Sequence, residues 1–179
     1  SGPTPTPGGP TPTPGGPTPT ATATVTPGNI YVSPETGGTV TDQVGNLDTV
    51  ITVPPGAVSE PVQFAINPMV TLPPTGGFQM IGQGFEVTAM TTGGAPVTQF
   101  NQPITLVIHY TDADVAGIDE SQLTLHYWDE TQMVWVTVPG VVDIENNTLT
   151  VMLDHLTLFA LLEGDVSSEQ KLFLPAINR

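Results

Sequence analysis

No cysteine occurs anywhere in the chain, and lysine and arginine are almost missing. The first absence excludes disulfides, cysteine-held zinc, iron–sulfur clusters and thiol catalysis, and leaves the redox compartment open. The second is sharper. Only Lys171 and Arg179 are cationic, against 17 Asp and Glu, giving a net charge of -15. Binding to nucleic acid requires cations that displace phosphate counterions, so a nucleic-acid partner is excluded. Anionic lipid is excluded for the same reason. Intramolecular salt bridges have almost no donors, so burial and β-ladder hydrogen bonds must hold any fold. Trypsin finds a single internal site, after Lys171. Nor does any run reach the ~18–20 apolar residues of a membrane-spanning helix. No signal peptide is visible and the chain starts at Ser1 rather than Met, as expected of a mature or trimmed product. Few charges, abundant Thr and scarce Lys suit a secreted protein at an exposed, protease-rich cell surface.

What is present first is a repeat. Residues 3–9 read PTPTPGG, residues 10–16 repeat it, and a third copy drifts into TPTATATVTP over 18–27. Alternating Pro fixes φ and removes N–H donors, which excludes helix and central strand. The expected form is an extended polyproline-II arm over residues 1–27, reaching roughly 80 Å at ~3.1 Å per residue, with Gly-Gly hinges. Its nine threonines, Thr4, Thr6, Thr11, Thr13, Thr18, Thr20, Thr22, Thr24 and Thr26, match the composition of O-glycosylated stalks. The plainer reading is a bare linker.

From Gly28 the pattern turns to β. Val62, Phe64 and Ile66 alternate with polar or small residues, as do Phe85, Val87 and Ala89. Ile104, Leu106, Ile108 and Tyr110 repeat the pattern, followed by Leu123, Leu125 and Tyr127, then Leu149, Val151 and Leu153. Period two with β-branched enrichment predicts half-buried antiparallel strands. Further strands are expected near 30–32, 49–53, 133–138 and 156–162. Pro54-Pro55-Gly56, Pro73-Pro74, Gly93-Gly94, Pro139-Gly140 and Asn146-Asn147 read as turns. Residues 112–120 have room for one short turn of helix. Eight or more strands at this spacing predict an all-β fold, an antiparallel two-sheet β-sandwich of Ig-like type over residues 28–163. About 150 residues bury about two-thirds of their unfolded surface, enough for one core. Residues 164–179 then form a polar linker followed by an apolar strand.

Residues 49–58, TVITVPPGAV, resemble the strand-and-turn signature of the ZU-five-type β domain of ankyrins, netrin receptors and many bacterial surface proteins. Residues 110–135, YTDADVAGIDESQLTLHYWDETQMVW, are similar to the hairpin region of the bacterial versions. DHLTLFALL at 154–162 resembles their closing strand. The resemblance covers residues 38–163 and implies a non-catalytic interaction or structural module; its motifs are turn and core positions, so they speak to fold. The tail KLFLPAINR, with the Thr-Pro tract, resembles secreted proteins of filamentous green bacteria (Chloroflexi).

Candidate chemistry is sparse. Asp112, Asp114, Asp119 and Glu120 bracket Gly117 and offer oxygen ligands for calcium, but the order lacks the spacing and final Glu of an EF-hand. A capped surface turn is the expected reading. His109 and His126 lie on strand patterns and could face one another across a metal, yet no third ligand is identifiable. Hydrogen-bonded strand histidines are the expected reading, and His155 belongs to the closing strand. Asp129 and Glu130 are adjacent, so they point apart rather than across a cleft, and residues 129–132 read as a hairpin turn. No nucleophile elbow, phosphate loop or HExxH motif occurs. Trp135 is expected in the core, while Trp128 could be exposed and stack on sugar. Asn146 opens a glycosylation sequon on a loop.

The sequence therefore predicts a non-enzymatic extracellular structural protein with no cofactor. Leu172, Phe173 and Leu174 form an isolated apolar strand that could join a neighbouring copy's sheet edge, and residues 20–26 are also strand-competent. Head-to-tail strand addition builds filaments, tubes or sheaths. The partners expected are copies of itself and glycans. The alternative is a stalked carbohydrate- or surface-binding module of a larger protein, marked by an exposed aromatic strip and a cleft.

Overall fold

The structure is a computed structural model that describes residues 31–164 and the backbone of Thr24–Val25. Among the described residues eleven strands follow one another: β1 (Thr24–Val25), β2 (Gly38–Val44), β3 (Leu47–Val53), β4 (Val62–Pro68), β5 (Met80–Thr91), β6 (Gln99–His109), β7 (Leu123–Asp129), β8 (Val134–Val138), β9 (Gly140–Asp143), β10 (Thr148–His155) and β11 (Leu158–Glu163). They form two stacked sheets. The first runs β1-β2-β3-β6-β10-β9 and the second β4-β5-β11-β7-β8. Every pairing is antiparallel except the two-residue β1, which lies parallel to β2 at Thr39 and Val40. The chain is thus an all-β two-sheet sandwich.

Alternation explains the core. Leu47, Ile51 and Val53 of β3, Ile104, Leu106 and Ile108 of β6, and Leu149, Val151 and Leu153 of β10 point inward from the first sheet. Val62, Phe64, Ile66, Phe85, Val87, Leu125 and Phe159 meet them from the second. Phe85 and Phe159 contact at 5.9 Å between ring centroids. Facing β-branched and aromatic side chains fill the space between sheets and supply the dominant stabilising term.

Three local devices close the sandwich. Pro54 and Pro55 cannot donate to a ladder, so β3 stops there. The turn is then clamped: the Gly56 N–H donates to Pro34 O at 2.7 Å, Gln102 Nε2 to Pro55 O at 3.1 Å and Asn101 Nδ2 to Gly56 O at 3.3 Å. Gly37 has φ of 65°, and a Cβ there would lie 2.1 Å from Val53 O, so no other residue fits the site. Val32 exchanges two hydrogen bonds with Val62 and packs against Gly38, plugging the side of the sandwich between β2 and β4.

Several local expectations change. β2 and β9 lie where no strand is expected. Pro139-Gly140 is a corner rather than a reversal: β8 pairs in the second sheet and β9, immediately after it, in the first. In the segment expected as a strand near 30–32, the described part contributes isolated bridges at Val32 and Ser33. Leu156 belongs to the crossover, its N–H donating to Thr98 O, and β11 starts at Leu158. The helical turn is a 3-10 turn at Glu120–Gln122, capped by Asp119. β7 is not half-exposed. A second apolar cluster of Trp135, Ala160 and Leu162, packed with Leu72 and Phe78, covers its outer face. The polyproline-II arm, apart from Thr24–Val25, and residues 165–179 lie outside the described residues.

Phe159 on central strand β11 has no exposed surface. Phe159→Ala is expected to lower unfolding free energy by about 3–5 kcal/mol, read as a reduced urea midpoint. Met152→Thr, on the outer face, is expected to stay within about 0.5 kcal/mol.

Candidate functional site

The features that could meet a partner are the two ends, the sheet edges and one outer face. Val32 sits beside Val62 where β4 pairs with Thr91, the last residue of β5. Gly164 follows Glu163, whose N–H donates to Gln79 O next to Met80, the first residue of β5. The continuous segment 31–164 therefore begins and ends at opposite poles of a 12-residue strand, about 36 Å long at ~3.3 Å per residue.

Each sheet has two edges. In the first, β2 is partnered over Thr39 and Val40 by β1. The outer edge of β9 has no partner among the described residues. In the second, β4 is bridged by Val32 at Val62 alone. Antiparallel alternation turns the backbone groups of Phe64 and Ile66 the same way as those of Val62, toward the open edge. Pro68 ends that edge without an N–H. β8 is also unpartnered on its outer side among the described residues.

The outer face of the first sheet has a defined register. Thr39, Thr52, Thr105 and Met152 form one row across the strands, and Thr41, Val50, Val107, Thr150 and Val141 the next. Neither row holds a charge. The third row, Gln43, Asp48, His109, Thr148 and Asp143, brings carboxylates to one margin.

The four acids considered for calcium share one pole but take separate partners. Asn147 Nδ2 donates to Asp112 Oδ1 at 2.7 Å. Asp114 accepts from the Thr111 N–H and hydroxyl at 2.8 and 2.6 Å. Asp119 accepts from the Ser121 N–H and hydroxyl, and Glu120 accepts from the Tyr110 hydroxyl at 3.1 Å. Among the described residues, no three His, Asp or Glu side chains gather closely enough to hold a metal ion. Burial and the bonded Glu120 push the Tyr110 hydroxyl up to about 12.

His109 and His126 do not face one another. His109 is exposed on the first sheet; His126 is buried on the second, its Nε2 3.1 Å from the Thr137 hydroxyl and Nδ1 3.3 Å from Thr124 O. His155 contacts Asp154 at 2.5 Å and meets the Tyr127 ring edge-on at 4.8 Å. Trp135 is buried and donates to Pro74 O; half-buried Trp128 packs on it at 5.4 Å. Those rings are largely consumed in packing.

Residues 129–132 do turn a hairpin. Asp129 Oδ1 accepts from the Thr131 and Gln132 N–H groups at 2.8 and 3.0 Å. Asp143 binds Asn146 likewise and places the sequon Asn146 on an exposed turn. Gln132 holds the Asp129 carboxyl below the usual range, and Asn146 does the same for Asp143. The Thr111 hydroxyl lowers Asp114, and the His155 ring lowers Asp154. Thr24 lies in β1; the other eight threonines of the glycosylation reading and Leu172, Phe173 and Leu174 lie outside the described residues.

No known protein family matches the chain, and no curated protein does. No described helix is long and apolar enough to cross a membrane.

A depressed carboxylate pKa stabilises the fold above its unfolded value, about 3.9, and the benefit is lost as pH falls through the folded value. Asp129→Asn is therefore expected to melt below the parent at pH 7, with the gap narrowing as pH falls below the unfolded value, about 3.9. Thermal unfolding of both proteins across that range checks it.

Proposed function

We propose that the chain is a non-enzymatic extracellular structural protein, a subunit that assembles into a filament, tube or sheath at a bacterial cell surface. The observation that carries this reading is polar. Residues 31–164 begin and end at opposite poles of the sandwich, while β4 beyond Val62, β8 and β9 present edges without described partners. A strand supplied by one copy to an edge of the next is a heterologous contact, and such contacts propagate. The parallel addition of Thr24–Val25 to β2 supports the idea that terminal segments of this chain dock on its sheet edges. Leu172, Phe173 and Leu174 are the proposed joining strand, and residues 20–26 the second strand-competent segment.

In this reading the sandwich is a ZU-five-type module, and the Thr-rich arm carries O-glycans that shield the assembly. The scarcity of cations supports an exterior setting, where few sites for trypsin-like cleavage are an advantage. A second reading, a stalked surface-binding module, is favoured by one feature: the uncharged hydroxyl-and-methyl rows of the first sheet's outer face.

Negative-stain electron microscopy of natively secreted protein tests the assembly. Regular filaments or tubes are expected, lost when residues 171–179 are deleted. Small monodisperse particles from the intact protein would refute assembly and favour the stalked module.

A further inference from the structure

A groove opens between the β2–β3 turn and the start of β5. Met69, Val70, Leu72 and Met80 give it apolar lining, beside Gly45, Asn46, Gly82 and Gln83, for a volume of about 500 Å³. Val70 is 94% exposed and Met80 37%. Flexible methionines at the mouth of an exposed apolar surface adapt to inserted side chains.

We propose that this groove seats the chain's own Leu172, Phe173 and Leu174 in the unassembled subunit. The chain arrives beside it. Leu162 pairs with Met80 in the ladder, and two residues later Gly164 is fixed by Gln122 O and the Thr124 hydroxyl, against Phe78. Seven residues, 165–171, separate that point from Leu172. They span at most about 24 Å, while Met80 lies one strand spacing, ~4.8 Å, from β11.

Charge selects the same segment. Asn46 of the groove binds Asp114, and Glu163 accepts from the Asp119 N–H, so carboxylates stand around this pole. The described residues contain no Lys or Arg to meet them. The segment 171–179 carries both of the chain's cations, Lys171 and Arg179, at either end of its apolar stretch. A second copy's tail has the same chemistry. A short tether, however, holds the chain's own tail at an effective concentration in the millimolar range, so it occupies the groove first. The inference concerns the monomer and stands whether or not copies assemble.

Methionine oxidation by dilute peroxide, read site by site as sulfoxide, tests it on the full chain. Met133 and Met152, 67% and 62% exposed, are internal controls. In the full-length variant Leu172→Asp/Phe173→Asp/Leu174→Asp, Met69 and Met80 are expected to oxidise about fivefold faster than in the parent, with the controls unchanged. Val70→Asp, an exposed substitution that alters the groove and not the tail, is expected to unmask Met80 similarly. Equal rates at Met69 and Met80 in parent and tail variant would overturn the proposal. Protection that disappears on about hundredfold dilution of the parent would also overturn it, by assigning the groove to a second copy.

Discussion

The near-absence of cations is the constraint on which the rest of the structure depends. With no Lys or Arg among the described residues, no carboxylate there has an ordinary salt-bridge partner, and Asp154 alone meets a basic side chain, the His155 imidazole. Acids are placed where backbone and amide donors can satisfy them instead, as turn and helix caps: Asp114 by Thr111, Asp119 by Ser121, Asp129 by Gln132 and Asp143 by Asn146. Attraction between charges contributes almost nothing, and the surface repels itself. The sandwich coheres through apolar side chains closed between two sheets and through its ladders.

The same constraint shapes what the surface can do. A strongly acidic molecule repels its own copies wherever carboxylates meet. Contacts between copies are easiest where charge is absent: along backbone edges without described partners, such as β9, through apolar segments, or on the uncharged rows of the first sheet. Strand addition is suited to such a molecule because main-chain hydrogen bonds, not ion pairs, supply the attraction.

Strands whose apolar residues alternate strictly were legible in the sequence, because one face of β4, β6 and β10 meets the core and the other meets solvent. β2 was not. GTVTDQV has an edge strand's polar composition, and its strand character comes from pairing along β3 rather than from its own residues. β9 was hidden because Pro139-Gly140 carries a turn's composition while acting as a corner between sheets. The buried second face of β7 depended on Leu72 and Phe78, which lie far away in sequence in a segment without periodicity. The hairpin role of Asp129 was legible, since Asp at a tight turn caps nearby N–H groups. The separation of His109 and His126 was not, because strand order assigns each strand to a sheet and no local pattern reports it. The groove is formed by three separate segments and has no signature in any of them.

The most direct test of the account is the salt dependence of stability. Urea unfolding of the intact protein, compared between dilute buffer and about 1 M NaCl, screens surface charge while leaving burial nearly unchanged. A fold held by apolar burial against self-repulsion gives a midpoint that stays level or rises with salt. A midpoint that falls would show that attractive ion pairs carry its stability and would contradict the account.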